Sequence, residues 1–380
     1  MDKERKIKIL QDVIQIETIN DNEEDVAKYY QELLKEFDID SEIVNYEGNR
    51  SNLVAEIKGE EEGRVLVLSG HMDVVDLGDR DEWTVDPFGG EIKEGKMYGR
   101  GTTDMKAGLT ALVIAMIELK EAGNPLKGTL RLAATVGEEI GMYGSKQLVK
   151  EGYVDDADGF IIAEPSGPEQ IINAHKGSLQ YEVIAKGKPA HSSMPENGID
   201  ALQLMVDYIN RSNELFEEAF SGKSNEQMGE TINVNTVING GDQINSVCGR
   251  AVLKANARTV PEADNAVVIE AIQQAIEELN QVNEGELELN ILQDNPSVES
   301  PVDNDLVKAI RVATNKEIPA KPLMGATDAS NFGRVPKDID LAIYGPGTPS
   351  RAHTHDKYVE VDQYIEFIDI YVDAVKEYLK

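Results

Sequence analysis

One cysteine, Cys248, occurs in 380 residues, and this excludes an intrachain disulfide framework. A lone thiol of this kind reads as a small buried hydrophobe and fits a reducing cytoplasm. Long apolar runs are missing as well. None approaches the roughly 18 residues that a transmembrane helix needs, so no membrane partner is expected. The opening residues, Met1-Asp2-Lys3-Glu4-Arg5-Lys6, lead into an amphipathic pattern and not into a signal-peptide apolar region, so a cytoplasmic location is expected. Basic residues are scarce beside acidic ones: 37 Lys and Arg against 70 Asp and Glu give a formal net charge of −33. A surface of that sign repels phosphate, which argues against nucleic acid and anionic lipid. There is no complete Gly-x-x-x-x-Gly-Lys-Ser/Thr phosphate loop, since Gly222-Lys223-Ser224 has Glu217 where the first glycine belongs, and no Gly-x-Ser-x-Gly elbow. Gly99-Arg100-Gly101 fails as a dinucleotide turn, because Asp104 stands at the third glycine position. Internal repeats and low-complexity tracts are absent too.

What is present fits a two-domain α/β protein. The length exceeds that at which one hydrophobic core usually stops growing, and 41% hydrophobic residues are ample for two. Apolar spacing predicts helices over 2–18 and 22–37, and a strongly apolar buried helix over 106–121. Strands are expected over 41–46, 52–57, 65–68, 129–136 and 160–163, in a layered alternation with helices. From about Gly177 the pattern changes to strand 179–185, helix 198–216, strands 231–238 and 250–257, helix 262–279 and strand 286–291. That β-α-β-β-α-β order is the ferredoxin-like pattern. After about Gln293 the α/β rhythm returns with helices at 304–314 and 329–333, a strand at 340–344 and a terminal helix from Asp362. The reading is therefore a large domain of residues 1–176 and 294–380, with a small domain, 177–293, inserted into it.

The chemistry concentrates where apolar strands end. Val65 to Leu68 runs into Gly70-His71-Met72-Asp73. In extended chain residues 71 and 73 share a side, which lets imidazole and carboxylate meet, as a metal-bound histidine and its second acceptor do. Asp104 follows in a glycine-rich turn. Glu138-Glu139 and Glu164 each come directly after or at the end of an apolar run. Carboxylates placed together at buried strand ends are costly unless they protonate or bind cations. The C-terminal edge of an open α/β sheet is also where such folds bind ligands. Of the five histidines, His71 and His353 sit near turns or strand ends with acids at hand, whereas His175 and His355 read as ordinary polar residues. Carboxylates with imidazole suit Zn²⁺, with Co²⁺ or Mn²⁺ as substitutes.

Taken together, Gly70-His71-Met72-Asp73-Val74-Val75, Trp83 with Asp86-Pro87-Phe88, Tyr98-Gly99-Arg100-Gly101 with Asp104-Met105-Lys106, Glu138-Glu139, Glu164-Pro165, Lys176-Gly177, Ala190-His191-Ser192-Ser193 and Ala352-His353 resemble the M20 metallopeptidase group. That group includes acetylornithine deacetylases, succinyl-diaminopimelate desuccinylases, aminoacylases and carboxypeptidase G relatives. The resemblance implies a zinc-peptidase-like catalytic domain, with a central mixed sheet between helices, and an inserted ferredoxin-like lid that forms a homodimer. It implies two Zn²⁺ per subunit: His71 and Glu164 on one, Glu139 and His353 on the other, and Asp104 bridging, with a cis peptide after it. His353 is preferred to His355 because it stands four residues before Lys357-Tyr358-Val359, where Lys357 replaces the acid usual in the family. Glu138 would be the general base, Asp73 the orienting carboxylate and His191 the oxyanion donor from the other subunit. Arg258 and Asn245 would hold the substrate carboxylate, and Gly325 and Thr327 would line the substrate. The implied activity is hydrolysis of an N-acyl amino acid, with N-succinyl-LL-2,6-diaminopimelate favoured, acetylornithine next, then aminoacylase or dipeptidase substrates. A non-catalytic binding module should have lost ligands or base, and none is missing here.

Overall fold

The strand Glu61–His71 lies between two parallel neighbours, Lys127–Thr135 and Gly159–Pro165. The computed structural model describes residues 1–123, 125–352 and 354–380. Its larger sheet runs Ser41–Glu47, Arg50–Lys58, Lys127–Thr135, Glu61–His71, Gly159–Pro165, Asp340–Gly345, Ile171–His175, Val298–Glu299, with Ala320–Leu323 paired to Ile171–His175. The first two strands are antiparallel and the middle ones parallel, so the sheet is mixed.

The middle strands are apolar on both sides because both faces are covered. Leu66, Leu68, Leu130, Leu132 and Ile161 share one core with the helices Lys3–Gln15, Glu23–Lys35, Lys106–Glu121, Asp305–Thr314 and Val361–Tyr378. Their alternates Val67, Phe160 and Ile162 are equally buried, and Phe160 stacks on Phe332 with ring centroids 4.7 Å apart. In Lys106–Glu121 every residue except Glu118, Lys120 and Glu121 is buried. That fits a helix apolar all round. The fold is mixed α/β, as the sequence pattern predicts, with the central mixed sheet between helices that the resemblance implies.

The chain divides into two compact units: Met1–Asn173 with Glu299–Lys321 and Thr327–Lys380, and Ala174–Val298 with Pro322–Ala326. The second unit has its own core and one antiparallel sheet, ordered Ile232–Gly240, Arg250–Arg258, Ser178–Lys186, Glu286–Asn295. Its two long helices, Ala201–Phe220 and Asn265–Val282, begin at Asp200 and Asp264, whose side chains accept backbone N–H groups of the first turn.

Several elements escape a reading by periodicity. The helix Tyr143–Lys150 opens with Gly144 and Ser145, too weak a pattern to signal itself. Contact explains the glycine: a Cβ there would lie 2.2 Å from Asn52 Oδ1. A small sheet of Glu91–Lys93, Lys96–Tyr98 and Tyr358–Glu360 is built from strands too short to show a period. No described helix is long and apolar enough to cross a membrane.

Candidate metal centre

His71 is the last residue of its strand and stands level with Thr135 of the neighbour. On its other side Ser69 pairs with Ile162, so two residues further the same register sets His71 beside Glu164. Gly70 leaves room for Met105: a Cβ there would lie 2.4 Å from the Met105 methyl, which would have to swing aside. The thioether of Met105 accepts the His71 N–H at 3.3 Å. Met105 follows Asp104 across a cis peptide bond. The helix Lys106–Glu121 then packs so closely that a Cβ on Gly108 would lie 2.1 Å from the Ala163 carbonyl oxygen. Asp104 and Glu164 are thereby carried by two elements in backbone contact.

The His71 ring is oriented by Asp73. Nδ1 lies 2.9 Å from the Asp73 backbone carbonyl, which can only accept, so Nδ1 donates and Nε2 is the nitrogen turned toward the carboxylates. Nε2 lies 3.2 Å from Asp104 Oδ1 and 3.6 Å from Glu164 Oε1. The Asp73 carboxylate, 3.5 Å from Nδ1, accepts the backbone N–H groups of Glu138 and Glu139 at 3.2 and 3.1 Å. One buried aspartate thus fixes both the imidazole and the turn that carries the paired glutamates.

Among the described residues two sets of possible donor atoms form here, His71 with Asp104 and Glu139, and His71 with Glu138 and Glu164. Within each set the atoms all lie within 4.8 Å of one another. The electrostatics suit a cation. Burial pulls His71 toward its neutral form, but Glu164, Asp104 and Asp73 outweigh it and its pKa stands well above the ordinary value. Burial and the neighbouring Glu164 and Glu139 charges push the Glu138 carboxyl well above the carboxylate range. Glu164 is raised likewise, by burial, Asp104 and Glu139. Crowded oxygens that hold protons in a dry interior are oxygens that a divalent ion can claim. The residues present fit a metal centre of carboxylates and imidazole.

Further supports surround these donors. Asp328, buried and pushed up to about 6 chiefly by that burial, accepts hydroxyl hydrogen bonds from Thr135 at 2.6 Å and Ser145 at 2.5 Å. It ties the strand before Glu138 to the helix after it. Arg50 makes a bidentate pair with the fully buried Glu23 and closes against Gly137, where a Cβ would meet its Nη2 at 2.8 Å. Lys106 Nζ donates to the carbonyls of Val13 and Ile16, and burial draws it down to about 7. Arg100 and Lys357 are each 1% exposed. Of these, Lys106, Arg100 and Lys357 belong to motifs quoted from the sequence, and the Thr135–Asp328–Ser145 contacts carry no local signal at all.

His353 lies outside the described residues. His355 is 2.9 Å from Glu82 and edge-on to Trp83. In the second unit His191 bridges to Ser246, and the Asn245 carbonyl accepts the N–H of Ser192 at 3.0 Å, so His191 and Asn245 share one corner. The His191 Nδ1 takes the hydroxyl and N–H of Ser193, at 2.8 and 3.2 Å. Arg258 closes its strand half-buried, and its guanidinium is lowered by that burial. Gly325 falls in the segment Pro322–Ala326 of the same unit. Thr327 is buried in the first unit and its hydroxyl accepts the Ala329 N–H at 3.2 Å.

The sequence model of peptidase family M20/M25/M40 matches residues 67–377. The chain belongs to this family. Membership makes it a hydrolase acting on amides, of a metallopeptidase type that uses divalent metal. Among M20 relatives, a protein of Staphylococcus epidermidis described as "Probable succinyl-diaminopimelate desuccinylase" is 42% identical over 407 aligned residues, covering 100% of this chain and 99% of that one. An acetylornithine deacetylase of Buchnera aphidicola is 28% identical over 93% of each chain. In fold, an M20 metallo-carboxypeptidase of Sulfolobus solfataricus matches all of this chain and 99% of its own, with a TM-score of 0.80 at 20% identity.

Proposed function

We propose that this M20 enzyme is a two-zinc amidohydrolase that removes the acyl group from an N-acyl amino acid, N-succinyl-LL-2,6-diaminopimelate first among them. The observation that carries the chemistry is the gathering of Asp104 with Glu139, and of Glu138 with Glu164, around the buried His71 at the sheet's C-terminal edge. The succinylated substrate is supported by the full-length 42% identity to the staphylococcal relative.

His71, Asp104 and Glu164 would hold one ion, and Asp104, Glu139 and His353 the other. Bound ions of this class supply Lewis acidity and lower the pKa of water. Glu138 takes the proton of the attacking water and returns it to the leaving amine, for which its raised affinity for protons suits it. Asp73 keeps Glu138 and Glu139 in place through their N–H groups. We assign His191 to the oxyanion, and Arg258 with Asn245 to the substrate carboxylate, since Arg binds carboxylate bidentately. Gly325 and Thr327 complete the substrate lining. A panel of N-acyl amino acids decides the substrate: fastest turnover, by kcat/KM, is expected on the succinyl-diaminopimelate. Preference for acetylornithine would transfer the assignment to the deacetylase reading, which the Buchnera relative favours.

We read residues 177–293 as a ferredoxin-like module inserted between 1–176 and 294–380, and as the place where two copies pair. Ile232–Gly240 is an edge strand of its sheet, and Ile232, Val234, Val237 and Ile238 on it are exposed. Unpaired, apolar edges invite a second strand. The double variant Val234→Lys with Ile238→Lys is expected to change a dimer into a monomer in light scattering coupled to gel filtration. A dimer that survives both lysines would remove this edge from the interface.

A further inference from the structure

The turn that carries Glu138 and Glu139 ends on a strained residue, Met142, whose φ is +58°. A side chain other than glycine persists in that conformation only where its surroundings over-determine it. They do so here. The Met142 N–H donates to the Gly137 carbonyl at 2.7 Å, and the Met142 carbonyl accepts the side-chain amide of Asn331 at 3.1 Å. The same amide gives its other hydrogen to the Ser145 hydroxyl oxygen at 2.9 Å. The Ser145 hydroxyl donates to one oxygen of Asp328 at 2.5 Å, and the Thr135 hydroxyl donates to the other at 2.6 Å. All five of these residues are buried. Hydrogen bonds to a charged acceptor in such a place are stronger than neutral ones.

Thr135 and Ser145 bracket the turn. Thr135 closes its strand level with His71, and its carbonyl accepts the Met72 N–H at 2.9 Å. Ser145 stands in the first turn of Tyr143–Lys150. Asp328 and Asn331 arrive together, since the Asn331 N–H donates to the Asp328 carbonyl at 3.0 Å. One carboxylate thus joins both ends of residues 136–144, while Asp73 holds the N–H groups of Glu138 and Glu139 inside it.

We propose that Asp328 is a positioning residue for Glu138: it staples the two ends of the turn, and Asn331 locks the strained Met142 between them. This rests on the reading of Glu138 as the general base. Asp328 acts through Thr135 and Ser145 and not on the reacting atoms. A displacement of about 1 Å at a reacting group can cost about 10²-fold in rate, so a turn freed at its ends loses turnover before it loses its fold.

The test compares full-length Asp328→Ala and Thr135→Val with the wild type, with metal in excess and well below their melting temperatures. On the fastest substrate of the N-acyl amino acid panel, kcat should fall by about 10- to 100-fold with KM little changed. Hydrogen exchange read by mass spectrometry should quicken by at least about tenfold over residues 136–145 and stay as in the wild type over 106–121. Both substitutions in one chain should cost no more than Asp328→Ala alone, because they remove the same bond. Thr135→Ser keeps the hydroxyl and should keep the wild-type kcat. A role in packing alone predicts the reverse, since Val fills the space of Thr and Ser does not. If Asp328→Ala does not melt cooperatively, Ser145→Ala carries the same expectation. Unchanged exchange over 136–145, or faster exchange with unchanged kcat, overturns the proposal. Full turnover in Glu138→Gln overturns the base assignment beneath it, whatever the Asp328 variants do.

Discussion

Glu138→Gln is expected to lower kcat by about 10²- to 10⁴-fold, the usual worth of a positioned general base, with bound metal and KM little changed. The substitution keeps the shape of the side chain and removes its ability to take a proton. It leaves intact the backbone N–H that the Asp73 carboxylate accepts at 3.2 Å, so the turn holding Glu139 should not move. The structure also places a Glu138 oxygen in a donor set with His71 and Glu164. Counting metal in the variant therefore separates two roles. Full metal content with collapsed turnover marks a base; loss of one ion marks a ligand. Retention of both metal and turnover would falsify the assignment altogether.

Asp104→Asn is expected to do more. Asp104 belongs to one of the two donor sets and lies 3.2 Å from Nε2 of His71, which both sets share; in the bridging role proposed for it, removing its charge weakens the hold on both ions. Metal of this kind supplies several kcal/mol to the reaction, and each 1.36 kcal/mol is a factor of ten, so kcat/KM should fall by at least about 10³-fold. Metal content measured after gel filtration should fall with it. The same loss should follow when a strong chelator treats the wild type, and added Zn²⁺ should restore activity to the wild type but not to the variant. An enzyme indifferent to the chelator, or an Asp104→Asn protein with its full complement of metal, would end the two-ion reading.

Much of this architecture is legible in the sequence because its signals are local. Val65 to Leu68 and Phe160 to Ala163 read as buried strands since both their faces are covered, and Asp2, Asp200 and Asp264 sit where helices begin. Placing His71, Glu138–Glu139 and Glu164 at the ends of such runs needs only the rule that ligands gather at one edge of a parallel sheet. What stays hidden depends on distance along the chain. Asp328 grips Ser145 and Thr135 from 183 and 193 residues away, and no periodicity announces that. Tyr143–Lys150 forms a helix because it fits against Asn52 and Val136, not because its own pattern is strong. Lys357 shows in the sequence as a residue of unusual charge, but its complete burial is a property of the fold.

The bare contact of Gly108 with the Ala163 carbonyl sets a mechanical tolerance for the whole centre. Helix and strand meet there without any side chain between them, so there is no compressible layer to absorb a shift. The spacing of the oxygens of Asp104 and Glu164 is then gauged by main chain against main chain, a ruler that repacking of the surrounding core leaves unaltered. Position 108 has almost no freedom: the first methyl group added would pry open the jaws that the two acids form.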